Sequence, residues 1–363
     1  MKQYFDFDLS RLLFFCVLLT LFCSSAQANS INLPFFTPMS ENMVVLDAHE
    51  ESLRTLYDRG LSYQSNSSIL QGGIKKWKSG GLNTIWIAAW INPARQQGEA
   101  AKSRTLALIK KLNQEVEASR GELVFCDKAS DVRNAVASGK IAILLGIEGG
   151  ISLNDNLDNI RMYRKLGVRR LNLTWNGDLD WAGAAYANPN NRSAKATGKG
   201  LNEFGVKVVK TLNNNGIVVD CSHASDQTIQ DVLKVSSKPI ICSHSNSRTL
   251  CAVPRNISDE LIREIAAHGG VVGINFYPPH LSKTKSANVD TVVQHIRHVV
   301  SIAGIDHVGI GSDWDGIEMT ARGLNHAGKF QNLVSALKKA GFSDVDLRKI
   351  LGENFMRVLK ENE

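Results

Sequence analysis

Eight short apolar runs, spread from residue 43 to residue 315, constrain this chain more than any other feature. They are MVVLDAH (43–49), LNTIWIAAW (82–90), IAILLGIEG (141–149), RRLNLTW (169–175), GIVVDCSH (216–223), PIICSHS (239–245), GGVVGINFY (269–277) and HVGIGSDWD (307–315). Each is continuously apolar where a half-exposed strand would alternate, as parallel strands covered on both faces require. The stretches between them read as helices. FQNLVSALKKAG (330–341) sets Phe330, Leu333, Val334 and Leu337 on one face. SDELIREIAAHGG (258–270) begins on an N-cap serine, Ser258, and stops at a glycine pair, and Ser343 is placed to cap a further helix. Strands alternating with helices predict a single (β/α)₈ TIM-type barrel. A doubly wound open sheet is the alternative, and no G-x-G-x-x-G turn supports it. Residues 91–127 form a longer insertion, read as a long helix and an extra short strand, LVFCD (123–127), and residues 176–200 form a long polar loop.

The N-terminus sets the domain plan. Lys2 and Arg11 precede the apolar run LLFFCVLLTLFC (12–23), and SSAQA follows with Ala26 and Ala28 in an A-x-A arrangement. That is the layout of a signal peptide cut after Ala28, leaving residues 29–363 as one exported domain, periplasmic or secreted. The run is shorter than the ~20 residues that span a bilayer, so no stable membrane insertion is expected after cleavage. Phe22 before Cys23 argues against a lipoprotein site. The formal net charge of +7 has no Lys/Arg block behind it, which removes the footing for nucleic-acid binding. Of the four cysteines beyond the signal, Cys126, Cys221, Cys242 and Cys251, the first three sit in strand-like runs and are expected as buried free thiols. No Cys-x-x-Cys pair exists for a zinc ribbon.

The apolar runs end in ligand-type side chains: Asp47-Ala48-His49-Glu50-Glu51 at the first, Glu148 at the third, His223 at the fifth, His244 at the sixth and Asp313 at the eighth. In a barrel all C-terminal strand ends open on one mouth, so residues far apart in sequence converge there. Imidazoles and carboxylates suit Zn²⁺, and such a set can hold two ions if one carboxylate bridges them. Glu50 competes with Glu51 but points to the other face of a strand. The other histidines read as supporting residues: His268 near the last carbonyls of its helix, His295 and His298 on a helix face, His307 and His326 in loops. His280 is open as a pocket residue.

GIVVDCSHASDQT, PIICSHSNSRTLC, PRNISDE, GGVVGINF and GIGSDWDG, with GIEGG and LGVRRLNLTWN upstream, resemble the membrane (renal) dipeptidase family in order and spacing over nearly all of residues 43–360. The resemblance implies a (β/α)₈ barrel holding two zinc ions. It implies hydrolysis of dipeptides, including those with a C-terminal D-residue, by attack of a hydroxide that bridges the ions. By position, His49 and Glu51 are implied for one ion, His223 and His244 for the other, and Glu148 as the bridge. Asp313 is the implied proton acceptor and donor, and Arg255 the implied anchor for the substrate's carboxylate. Two positions depart from the family: Glu51 stands where an Asp is usual, and Trp175, in the substrate-binding region, stands where the mammalian-type members have a His. Trp175 and the 176–200 loop leave an N-acyl amino acid deacylase or other amidohydrolase as the alternative. A catalytically impaired metal-binding homologue is a third reading. Dimers are common in the family, so by analogy a homodimer is open to the chain.

Overall fold

A computed structural model describes residues 42–187 and 196–363. The expected signal peptide and the start of the mature domain therefore lie outside the described residues. None of the described helices is long and apolar enough to cross a membrane. Among the described residues nine strands form one sheet: β1 (Leu46–Glu50), β2 (Thr84–Trp90), β3 (Leu123–Phe125), β4 (Ile141–Glu148), β5 (Val168–Asn172), β6 (Val218–Asp220), β7 (Ile241–Ser245), β8 (Val271–Ile274) and β9 (Val308–Ile310). Eight of them run in the order β1-β2-β4-β5-β6-β7-β8-β9, all parallel, and β3 pairs only with β4. The insertion expected at 91–127 is thus a helix (Gly98–Ala118) and the outlying strand β3.

The sheet closes on itself, which disposes of the doubly wound alternative. The Glu51 amide donates to the Trp314 carbonyl at 2.9 Å and the Asp313 amide donates to the His49 carbonyl at 3.0 Å. Asp47 reinforces this seam, because its carboxylate accepts from the Ser312 amide at 2.8 Å and the Ser312 hydroxyl at 2.5 Å. A carboxylate buried without such donors costs several kcal/mol, so this pairing is a condition of closure.

Helices start and stop where their side chains provide for it. Ser258 accepts from the Leu261 amide at the head of the helix Asp259–Ala267, and Ser343 caps the helix Asp344–Arg348. Phe330, Leu333, Val334 and Leu337 are the buried face of the helix Phe330–Lys339. Two sequence expectations need correction. The strands stop earlier than the apolar runs: β6 ends at Asp220 and β9 at Ile310, so His223 and Asp313 lie three residues past their strands. His268 does not turn back on its own helix, since its Nε2 meets the carbonyl of Ser236 at 3.0 Å.

The core at the N-terminal ends of the strands joins Val44, Ala142, Val218, Ile241 and Val271 to Phe355, Met356, Val358 and Leu359 of the C-terminal helix Asn354–Glu361. Phe355 fits because β8 and β9 present glycines to it: a Cβ on Gly309 would stand 2.3 Å from its ring and one on Gly273 3.1 Å. Phe355→Ala leaves a cavity between rigid strands and is expected to cost ~3–5 kcal/mol. The check is a lower denaturant midpoint at unchanged slope.

Candidate metal centre

The barrel mouth collects the ligand-type residues by three local devices. His49 lies in β1, and Glu51 follows that strand as the first residue of the turn into the helix Ser52–Arg59. Glu148 is the last residue of β4, and His244 lies inside β7. His223 and Asp313 arrive on turns, with φ of 73° and 66°, in the left-handed region that side-chain-bearing residues rarely occupy. Strain of this kind, of order 1–3 kcal/mol per residue, persists where the surroundings impose it, and here it swings both side chains over the mouth. Glu50 behaves as strand alternation requires, facing away and bonding the Ser52 hydroxyl at 2.6 Å.

The groups converge on Glu148. His223 Nε2 is 3.0 Å from Glu148 Oε1, His244 Nε2 3.4 Å from the same oxygen, and His49 Nε2 3.4 Å from Oε2 and 3.5 Å from Glu51 Oε1. Ligand atoms of His49, Glu148 and His244 fall within 4.8 Å of one another, and so do those of His49, Glu51 and Asp313. Both Glu148 oxygens and His49 Nε2 are buried without a hydrogen-bond partner. Burial holds His49 down to about 4, and it holds His223 and His244 well below the ordinary imidazole value, with Arg255 adding to the effect on both. Neutral imidazoles aimed at an unsatisfied carboxylate are a cation's donor set. The residues present therefore fit the metal that the sequence implies.

Burial, with the mutual repulsion of the carboxylates acting on Glu51, pushes Glu51 and Glu148 up to about 7. A cation needs them ionised, so uptake at pH 6.5 is expected to release protons and to weaken as pH falls. Calorimetric titration in buffers of different ionisation enthalpy measures the number released.

Asp313 is buried, and its carboxyl stands well above the ordinary range through burial and the charges of Glu51 and Glu148, opposed by Arg255. Arg255 is buried beside this group, donating to Ser245 Oγ at 2.9 Å and to the His244 carbonyl at 3.0 Å, while its Nε has no partner. Trp175 is half-buried, its ring 5.0 Å from that of Trp90 and 6.0 Å from that of His223. It lines a cavity of about 370 Å³ together with Glu148, Gly149, Asn176, Asp178 and Asp180. The described part of the 176–200 loop is pinned to the barrel, the Ala185 amide donating to the His223 carbonyl at 2.7 Å.

His280 lies near Arg255, 4.8 Å ring to ring from Tyr277, and burial followed by the Arg255 charge lowers it to about 3. The remaining histidines hold the frame: His295 bonds the Ser247 amide and Leu281 carbonyl, His298 pairs with Asp259, His307 bonds the Gly270 carbonyl and His326 caps a short turn. Asp47, one of the ligand-type side chains of the first run, is instead a structural partner of Ser312, and Asp220, given no role by the sequence, is structural too. Asp220 accepts from the amides of Ser222 and Ser243, each at 3.0 Å. An Asp two or three residues before a ligand-type His, in DAH and again in DCSH, was the available signal. Cys126, Cys221 and Cys242 are buried free thiols, as expected, and so is Cys251.

A closed parallel barrel with such a buried donor set at its mouth, and a guanidinium beside it, has the layout of a metal-dependent hydrolase. Residues 34–363 match the family model described as membrane dipeptidase (peptidase family M19), and the chain belongs to that family. It is therefore a metallopeptidase that hydrolyses dipeptides. Among solved structures, an amidohydrolase from Pseudomonas aeruginosa is 25% identical over 89% of this chain and 98% of its own, with a TM-score of 0.75. A metallopeptidase from Rhodobacter sphaeroides, liganded with a phosphinate mimic of L-Ala-D-Ala, is 23% identical over 89% and 100%, with a TM-score of 0.81. A probable dipeptidase from Pseudomonas aeruginosa, 22% identical over 89% and 96%, superposes with a TM-score of 0.83.

Proposed function

We propose that this protein is an exported dizinc dipeptidase that accepts a C-terminal D-residue. The observation that carries the dimetal reading is Glu148, whose two unpartnered oxygens are each approached by imidazole, Oε2 by His49 and Oε1 by His223 and His244. His49 and Glu51 would hold one ion and His223 and His244 the other, with Glu148 available to both. When bound, the ions supply an acidified water as nucleophile and polarise the scissile carbonyl. Asp313, at the mouth, would take up a proton from the attacking water and return it to the leaving amine. Arg255, with its unpartnered Nε, anchors the substrate's free carboxylate. The phosphinate dipeptide in the Rhodobacter metallopeptidase supports the substrate's size and D-configuration. Export rests on the N-terminal sequence.

The deciding experiment is a panel of L-Ala-L-Ala, L-Ala-D-Ala, Gly-D-Ala, L-Cys-Gly and N-acetyl-D-Ala, run on protein of measured zinc content. Turnover of the L,D-dipeptides by protein holding two zinc ions is the expected result. N-acetyl-D-Ala outrunning every dipeptide would establish the deacylase reading instead, with Trp175→His as the first variant to make. Metal-loaded protein inert on the whole panel would establish the impaired homologue. Arg255→Ala is expected to lower kcat/KM roughly 10–150-fold for free-carboxylate dipeptides, mostly through KM, since charge-assisted hydrogen bonds contribute ~1.5–3 kcal/mol. C-terminally amidated dipeptides, assayed alongside, should be little affected.

A further inference from the structure

Each imidazole that faces Glu148 has a side-chain oxygen near its other ring nitrogen. His223 Nδ1 lies 3.0 Å from Asn176 Oδ1. His244 Nδ1 lies 2.8 Å from Ser243 Oγ, and His49 Nδ1 lies 3.2 Å from that same hydroxyl. A histidine that binds a cation through Nε2 carries its proton on Nδ1 and must donate it, and the acceptor fixes both tautomer and ring angle. An amide oxygen serves one ring here. A serine hydroxyl has two acceptor lone pairs and can serve two.

Arg170 cannot take this role, because a guanidinium only donates. Its Nη1 lies 3.0 Å from His49 Nδ1, and when that nitrogen carries the proton Nη1 keeps the Ala48 carbonyl, 2.5 Å away, as its acceptor. Ser243 is also held in place. It is fully buried in β7, its amide donates to Asp220 Oδ1 at 3.0 Å, and its carbonyl oxygen fits against Gly273 and Gly311, where a Cβ would come within 2.0 and 1.9 Å. The two rings it serves lie together, centroids 3.6 Å apart.

We propose that Ser243 is a positioning residue shared by the two metal sites. Its hydroxyl orients His49 in one ligand set and His244 in the other, so loss of that hydroxyl weakens both sites together. Asn176 is the contrasting case, serving His223 and one site only. This rests on the two-ion assignment above.

The test titrates metal-free wild type, Ser243→Ala, Ser243→Thr and Asn176→Ala with Zn²⁺ against a competing chelator. The visible spectrum of the Co²⁺-loaded proteins is the second readout. Wild type should bind two ions. Ser243→Ala should bind both ~10–100-fold more weakly, the cost of losing an outer support to a ligand, with an altered Co²⁺ spectrum. Ser243→Thr keeps the hydroxyl and should restore affinity and spectrum, and Asn176→Ala should weaken one ion alone. Wild-type affinities in Ser243→Ala, weakening of one ion only, or equal losses in the Ala and Thr variants would each overturn the sharing. Wild type taking up fewer than two ions would overturn the two-ion assignment itself.

Discussion

Asp313→Asn protein should take up metal as wild type does and turn over dipeptides ~10²–10⁴-fold more slowly, the range that a positioned acid–base group contributes. The substitution keeps volume and shape, and Asp313 tethers the fold by its backbone, whose amide donates to the His49 carbonyl. The side chain is thus free of a structural duty that Asn would fail. What Asn cannot do is accept a proton and give it back. Its surroundings show why the carboxylate is costly to keep there: burial and the charges of Glu51 and Glu148 act against its ionisation, and Arg255 opposes them. Metal content, kcat and KM measured together decide the matter. A full loading with a kcat loss is the expected pattern, and unchanged kcat would remove Asp313 from the chemistry.

Glu148→Gln should have the larger effect on the metal. The metal-free fold should tolerate it, because Glu148 is buried and raised to about 7, so near neutrality it is already partly a neutral group of nearly the same shape. With metal the comparison reverses. Gln offers one uncharged oxygen where the wild type offers two anionic ones, and both of those are unpartnered between the imidazoles. Metal content should fall from two ions to one or none. Activity should drop by more than the ~10–100-fold that loss of a ligand's outer support costs. Elemental analysis after dialysis, with the melting temperature of the metal-free protein as control, separates a lost ligand from a lost fold.

Much of this was legible before any coordinates. Strands buried on both faces leave continuous apolar runs, and that made β2, β4 and β7 readable almost to the residue. The ligands at β1, β4 and β7 followed, because a strand end in a parallel barrel has one place to go. The boundaries failed where the chain leaves the sheet early. His223 and Asp313 look like strand ends because the apolar pattern continues past β6 and β9, while the left-handed turns carrying them contain no glycine at those positions to mark them. Ser243 was invisible for a different reason. A serine beside a histidine has no distinctive spacing, and its hydroxyl acquires its position only when β1 and β7 are brought across the barrel. Arg255 and Glu51 took their roles from the family motif, since an isolated arginine or glutamate has no preferred use.

The seam between β1 and β9 has a consequence for how the protein is made. His49 and Glu51 come from the first strand and Asp313 from just beyond the last, and backbone bonds between these segments close the ring. No fragment shorter than residues 49–313 holds every residue of the site, and a ribosome must have passed residue 313 before the full set can exist. The complete two-ion set therefore exists only in the closed barrel. If the proposed export carries the chain across unfolded, that set would be completed only on the far side of the membrane.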